Sequence, residues 1–146
     1  MKVYLDNCCY NRPYDDQSQI KVSLETQAKL HIQDMIRHGE LELVTSYVLW
    51  FENSQNPYMG RKMSISDFIK ENSTLHIGKE KESDIKSRAD KIISTGIKVK
   101  DAYHIACAIY AECEYFFTTD YRLLKYDTSE IKICNPIEFF NSTEEK

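Results

Sequence analysis

Four acidic residues lie where the sequence predicts a strand end, or a helix running beside a strand end: Asp6, Glu52, Asp101 and Asp120. Asp6 follows the apolar run Lys2–Leu5, and Asp120 follows the apolar run 115–119. The carboxyl ends of parallel strands share one edge of a sheet, so we expect these carboxylates to converge there. Crowded carboxylates repel one another unless they hold hard cations. The pattern therefore predicts Mg²⁺- or Mn²⁺-dependent phosphodiester chemistry.

Strands and helices are predicted to alternate along the chain. Strands are predicted at residues 2–5, 41–45, 115–118 and 131–134, whereas 75–77 is too short to assign firmly. Helices are predicted after the Gln17-Ser18 cap, after Ser46, over 58–73 and 79–95, and from Asp101, with helical turns at 121–126 and 137–140. This alternation predicts an α/β fold with a central, mainly parallel sheet flanked by helices. We expect residues 1–140 to form a single domain and 141–146 a flexible tail.

Two of these helices need closer description. The helix after Gln17-Ser18 is predicted to bury one apolar stripe: Leu24, Ala28, Ile32, Met35 and Ile36. Residues 7–13 before it are predicted to be a loop, because Pro13 delays helix formation. The helix from Asp101 begins at the edge where the strands end, and the following strand returns to that edge. Topology therefore brings Asp101 and Asp120 to Asp6, whereas Glu52 needs its own helix to lean across the strand ends.

Composition limits the classes of function. The chain has 146 residues, 42% of them hydrophobic, and a net charge of −4. The negative charge argues against tight, non-specific binding of nucleic acid, so contact with a polyanion would rest on bound cations and on local cationic side chains, for which Arg12, Arg61 and Lys62 are the candidates. Five cysteines without a disulfide-like framework predict free thiols in a reducing compartment. With no secretory signal and no membrane span predicted, the expected location is the cytoplasm.

Four short motifs carry a resemblance to a known family. They are Val3-Tyr-Leu-Asp6-Asn7, Thr45–Asn53 with Glu52, Asp101–Ile109, and Phe116-Phe-Thr-Thr-Asp120. In order and separation they resemble those of a PIN domain, the nuclease module best known from VapC-type toxins of bacterial toxin–antitoxin pairs. The resemblance covers nearly the whole chain. Two departures are Asn7, where many members carry Thr or Ser, and the lack of a further acid closely after Asp120.

The resemblance implies a three-layer PIN-like fold and a Mg²⁺- or Mn²⁺-dependent endoribonuclease. Asp6, Asp101 and Asp120 would hold the metal, and Glu52 would be a ligand or would orient the attacking water. Asn7 and Thr118 would orient those groups through hydrogen bonds. Direct attack by water would leave a 5′-phosphate and a 3′-hydroxyl. An antitoxin protein and a second copy of the chain are the implied partners.

Other interpretations remain open at this point. A catalytically weak or inactive PIN-like module that binds a protein or RNA partner is the main rival. A phosphatase with Asp6 as nucleophile is disfavoured because the chain lacks the second acid of a D-x-D pair. Cys8, Cys9 and His104 match no familiar zinc spacing. His104 is interpreted as a packing or surface residue and Asp127 as a loop residue.

Overall fold

The computed structural model describes residues 1–144, with a five-stranded sheet in the order β3-β2-β1-β4-β5. The strands are β1 (Lys2–Leu5), β2 (Glu42–Ser46), β3 (Ser73–Ile77), β4 (Tyr115–Phe117) and β5 (Lys132–Cys134). Every neighbouring pair is parallel, so the carboxyl ends of all these strands lie at one edge. The predicted α/β class is thus confirmed. The short 75–77 run belongs to an edge strand paired with β2.

Helices cover both faces of the sheet. They are α1 (Asn7–Asn11), α2 (Ile20–Arg37), α3 (Tyr47–Ser54), α4 (Met59–Asn72), α5 (Glu82–Ile93), α6 (Val99–Tyr110), α7 (Tyr121–Leu124) and α8 (Pro136–Glu144). The central strand shows the layering: Tyr4 packs into the core beneath α5 and α6, whereas Val3 and Leu5 pack against α1, α2 and α4. All three side chains are fully buried, which places β1 and the acid that follows it in the middle of the molecule.

The predicted loop at residues 7–13 is wrong, because this segment is mostly helical. The extended Asp6 caps α1, with its side chain accepting a hydrogen bond from the backbone N–H of Asn7. A 3₁₀ turn, Arg12–Tyr14, follows and carries Pro13 near its start, where a missing N–H costs nothing. Pro13 is therefore compatible with the helical turn, and the cap at Asp6 allows a helix to begin directly after β1.

Helix α2 differs from its prediction in both its start and its buried face. It begins at Ile20 without a side-chain cap, and Leu24 is 48% exposed. Glu25 and Lys29 are buried instead. The Glu25 carboxylate accepts hydrogen bonds from Arg12 and from the side-chain amide of Asn135. These partners offset the cost of burying its charge, so a polar network replaces part of the expected apolar stripe.

Three further boundaries differ from the predictions. Helix α6 begins at Val99, so Asp101 lies within its first turn instead of opening it. Helix α5 begins at Glu82, after a 3₁₀ turn over Lys79–Lys81. Helix α8 includes residues 141–144 of the expected tail, and residues 145–146 lie outside the described part of the chain. Over the described residues, none of the helices has both the length and the apolar character that crossing a membrane requires.

Candidate metal and active site

An open cavity of about 340 Å³ lies at the edge of the sheet where the strands end. All four acids singled out from the sequence line it. The described lining residues are Asp6, Asn7, Cys8, Asn11, Asp15, Glu52, Asp101 and Asp120. We refer to this feature as the acidic cavity. The acids come from separate elements, namely the end of β1, helix α3, the first turn of α6 and the segment after β4. Parallel topology therefore brings together residues that are far apart in sequence.

Asp6 is the most firmly held of the four acids. It is 6% exposed, and its Oδ1 accepts a hydrogen bond of 2.8 Å from the backbone of Asn7. Its Oδ2 accepts hydrogen bonds from the Thr118 hydroxyl at 2.9 Å and from the Cys8 thiol at 3.4 Å. These donors leave the carboxylate little freedom to rotate. Thr118 thus contacts the acid that the resemblance implies it should orient.

Asp101 and Asp120 face the same cavity from α6 and from the start of α7. Burial raises the pKa of Asp101, and the charges of Asp6, Asp120 and Glu52 raise it further. Asp120 caps α7 by accepting a 2.9 Å hydrogen bond from the backbone of Arg122. Repulsion from the neighbouring carboxylates thus adds to the effect of burial on Asp101. A cation bound among them would relieve this repulsion.

Glu52 has cationic and hydrogen-bonding partners of its own. Its Oε1 lies 2.7 Å from Nε2 of His104, and its Oε2 lies 3.4 Å from Nζ of Lys100. Burial acts to raise the pKa of Glu52, but His104 and Lys100 outweigh burial and leave it lowered. The environment therefore favours the ionised form of Glu52, whereas the environment of Asp101 disfavours its ionised form.

His104 is a site residue that the sequence analysis missed. It is fully buried, and its Nδ1 lies 2.6 Å from the hydroxyl of Tyr4, which lies 2.7 Å from Oγ of Ser46. A signal was present, since His104 follows Asp101 by three residues and so lies about one turn along the same side of α6. Both ring nitrogens are hydrogen-bonded, so His104 holds Glu52 in place and is not free to bind a metal in this arrangement.

The donor atoms of the cavity fit a hard divalent cation. One ligand atom from each of Asp6, Glu52 and His104 lies within 4.8 Å of the other two. Because both nitrogens of His104 are hydrogen-bonded, Asp6 and Glu52 are the members of this group that can offer oxygen to an ion. Oδ1 of Asn7 is buried and has no hydrogen-bond partner within the described part of the chain. Carboxylate and amide oxygens are the ligands that Mg²⁺ and Mn²⁺ prefer. A buried acceptor normally has a partner, and a bound cation or ligand could supply the one that the amide oxygen of Asn7 lacks.

The three cationic residues predicted to contact RNA have different surroundings. Arg12 turns towards Asp15 and Glu25, at distances of 3.0 and 2.9 Å. Arg61 lies on α4 and lines a second cavity that adjoins the acidic cavity. Lys62 is not among the described residues that line either cavity. Of the three, Arg61 is the one placed to meet a ligand that extends out of the acidic cavity.

Comparison with known proteins bears on the fold. No family model and no curated protein matches this sequence. The structure is similar to a chain in the crystal structure of VapBC2 from Rickettsia felis bound to a DNA fragment from their promoter. The TM-score is 0.57 at 10% sequence identity, over 91% of this chain and 97% of that chain. At that identity the likeness shows the fold alone, and the five-stranded parallel sheet flanked by helices is consistent with a PIN-like fold.

Proposed function

We propose that this protein is a metal-dependent ribonuclease with the acidic cavity as its active site. The observation that carries the proposal is the meeting of four carboxylates, from four separate elements, around one open cavity. Burial and the neighbouring carboxylates both raise the pKa of Asp101, so the fold disfavours its ionised form. Perturbed acids in a cleft are typical of functional sites. The choice of RNA as substrate rests on the resemblance of the four motifs to those of PIN-domain nucleases, and the similarity in fold to a chain of the VapBC2 structure is consistent with it.

The chain's own residues have distinct roles in this proposal. Asp6, Asp101 and Asp120 would hold Mg²⁺ or Mn²⁺, and the unpartnered oxygen of Asn7 belongs to a residue that lines the same cavity. When bound, the ion would supply charge stabilisation of the scissile phosphate and a lowered pKa for the attacking water. Glu52, kept ionised by His104 and Lys100, accepts a hydrogen bond from that water and orients it. Hydrolysis in this way leaves a 5′-phosphate and a 3′-hydroxyl.

Partners are the second part of the proposal. The structural neighbour belongs to a VapBC2 complex on promoter DNA, and we propose an antitoxin protein and a second copy of this chain as partners here. Light scattering on the purified protein tests the homodimer. Co-expression with the product of a neighbouring small gene, followed by co-purification and a cleavage assay, tests the antitoxin.

Chelation followed by replacement of the ion tests the proposed chemistry. Protein stripped with EDTA and dialysed should not cleave single-stranded RNA, and added Mg²⁺ or Mn²⁺ should restore cleavage in proportion to its occupancy. The same titration should raise the melting temperature, because a ligand that binds only the folded state stabilises it. An ion that raises the melting temperature without any cleavage would favour the non-catalytic PIN-like module.

A further inference from the structure

Two exposed tyrosines and one arginine form a cluster beside the acidic cavity. The guanidinium carbon of Arg61 lies 4.5 Å from the ring centroid of Tyr58 and 5.1 Å from that of Tyr14. A 3.2 Å hydrogen bond from Nη2 of Arg61 to the carbonyl oxygen of Tyr14 fixes the guanidinium in place. Tyr58 immediately precedes α4 and Tyr14 ends the 3₁₀ turn after α1, so separate segments build this arrangement.

The aromatic surface of this cluster is open to solvent. Tyr58 is 60% exposed and Tyr14 is 42% exposed. Cation–π contact with Arg61 holds the rings in defined positions. The cluster therefore combines a fixed aromatic surface with a positive charge, the two features by which proteins hold single-stranded nucleic acid without reading its sequence.

The cluster is continuous with the acidic cavity. Tyr58 and Arg61 line a second cavity together with residues of α1, α3 and the following turn: Asn7, Asn11, Glu52, Gln55, Asn56 and Pro57. Three of these residues, Asn7, Asn11 and Glu52, also line the acidic cavity. An RNA strand with one phosphate among the acids would therefore have the aromatic cluster beside its next nucleotides.

We propose that Tyr58 and Arg61, with Tyr14 behind them, form a stacking platform for an unpaired base of single-stranded RNA next to the scissile phosphate. The inference rests on the proposed function, which it deepens by naming the residues that would hold the RNA beside the acids. A base inside a duplex has no free face to offer the ring of Tyr58, so the platform selects single strands. The platform also explains how a protein of net charge −4 could bind RNA, because base stacking on Tyr58 and the charge of one guanidinium would provide the attraction locally.

Binding without cleavage tests the platform separately from the chemistry. The parent protein is Asp101→Asn, which we expect to be inactive, and the probe is a short fluorescent single-stranded RNA followed by anisotropy at low salt. Adding Tyr58→Leu should weaken binding about 10-fold or more, whereas Tyr58→Phe should keep binding near the parent value because it keeps the ring. Binding of a duplex of the same sequence should not change.

A matched control comes from a second exposed tyrosine with a cation over its ring. Tyr121 is 64% exposed, and Nζ of Lys125 lies 4.2 Å from its ring centroid. Tyr121→Leu should leave RNA affinity within about 2-fold of the parent, because Tyr121 follows Asp120 in sequence but lines neither the acidic cavity nor the second cavity. Circular dichroism of each variant checks that it is folded.

Two results would overturn the platform. The first is that Tyr58→Leu binds single-stranded RNA as tightly as the parent protein. The second is that its RNA affinity is unchanged while light scattering shows a loss of self-association. That second result would mean that this surface is a contact between protein molecules. Failure of the proposed function looks different: the wild-type protein would cleave no RNA, whatever the affinity of the Tyr58 variants.

Discussion

His104 donates from Nε2 to Oε1 of Glu52 across 2.7 Å, joining α6 to α3 at the centre of the candidate site. The tautomer that donates to Glu52 leaves Nδ1 free to accept from the Tyr4 hydroxyl at 2.6 Å. Tyr4 belongs to the central strand, so this chain of contacts ties Glu52 to the most buried part of the sheet. Glu52 is therefore oriented by the core, although it lies at an open cavity.

The variants His104→Gln and His104→Asn test the hydrogen bonds of this histidine to Glu52 and to Tyr4 separately. The Gln amide can reach the position of Nε2 and still donate to Glu52, whereas the shorter Asn amide reaches only towards Tyr4. We expect kcat to fall about 10-fold or more in His104→Asn and clearly less in His104→Gln, in line with losses seen when a partner of a catalytic group is removed. Equal losses in the two variants would show that His104 only fills space.

The lowered pKa of Glu52 has a consequence for stability. A carboxyl whose pKa is lower in the folded state stabilises the fold above its unfolded pKa of about 4.3, and loses that contribution as pH falls through the folded value. In metal-free protein, the difference in unfolding free energy between wild type and Glu52→Gln should be constant from pH 6 to about pH 5 and should shrink below about pH 4. Urea titrations across this range measure it. A difference that grows on acidification would contradict the assigned direction.

Asp101 should show the opposite behaviour because its pKa is raised. The folded state then holds the proton more tightly than the unfolded chain, so the relative stabilisation is full below the unfolded pKa and is lost as pH rises through the folded pKa. At neutral pH the ionised Asp101 weakens the metal-free fold. We expect Asp101→Asn to abolish cleavage while leaving metal-free stability unchanged or higher by about 1 kcal/mol.

Thermal melts at neutral pH, with and without Mg²⁺, decide the Asp101 prediction. Wild type should gain more from Mg²⁺ than Asp101→Asn does, because the variant has lost a ligand. A clear drop in the metal-free melting temperature of the variant would mean that Asp101 acts mainly as a favourable charge in the first turn of α6.

Thr118 should matter to metal affinity through Asp6. Thr118→Val preserves the side-chain shape but removes the hydroxyl that donates to Oδ2 of Asp6 and accepts from the backbone of Asp120. We expect Mn²⁺ affinity to fall about 10-fold, measured by calorimetry. Thr45→Val is the matched control, because Thr45 is equally buried but bonds to Ser73 and His76 at the far strand. If Thr118→Val binds Mn²⁺ as tightly as wild type, Thr118 does not contribute to metal binding.

Much of the fold and the four acids could be predicted from the sequence, because short apolar runs mark buried parallel strands and topology fixes where those strands end. The face of α2 could not be, since Glu25 is buried through partners at Arg12 and Asn135 that are distant in sequence. The role of His104 could be predicted only in part. Its spacing from Asp101 indicates the side of α6 on which it lies, but its partners Tyr4 and Glu52 are distant in sequence.

The most direct measurement of the central claim is RNA cleavage by three proteins purified in the same way. Wild type and Asp127→Asn, whose changed residue is exposed and outside the acidic cavity, should cut single-stranded RNA with Mg²⁺ or Mn²⁺ and leave 5′-phosphate ends. Asp6→Asn should be slower by at least about 10²-fold, or roughly 3 kcal/mol of transition-state stabilisation. Cleavage by Asp6→Asn at the wild-type rate, or cleavage by wild type that survives exhaustive chelation, would contradict a metal-dependent active site in the acidic cavity.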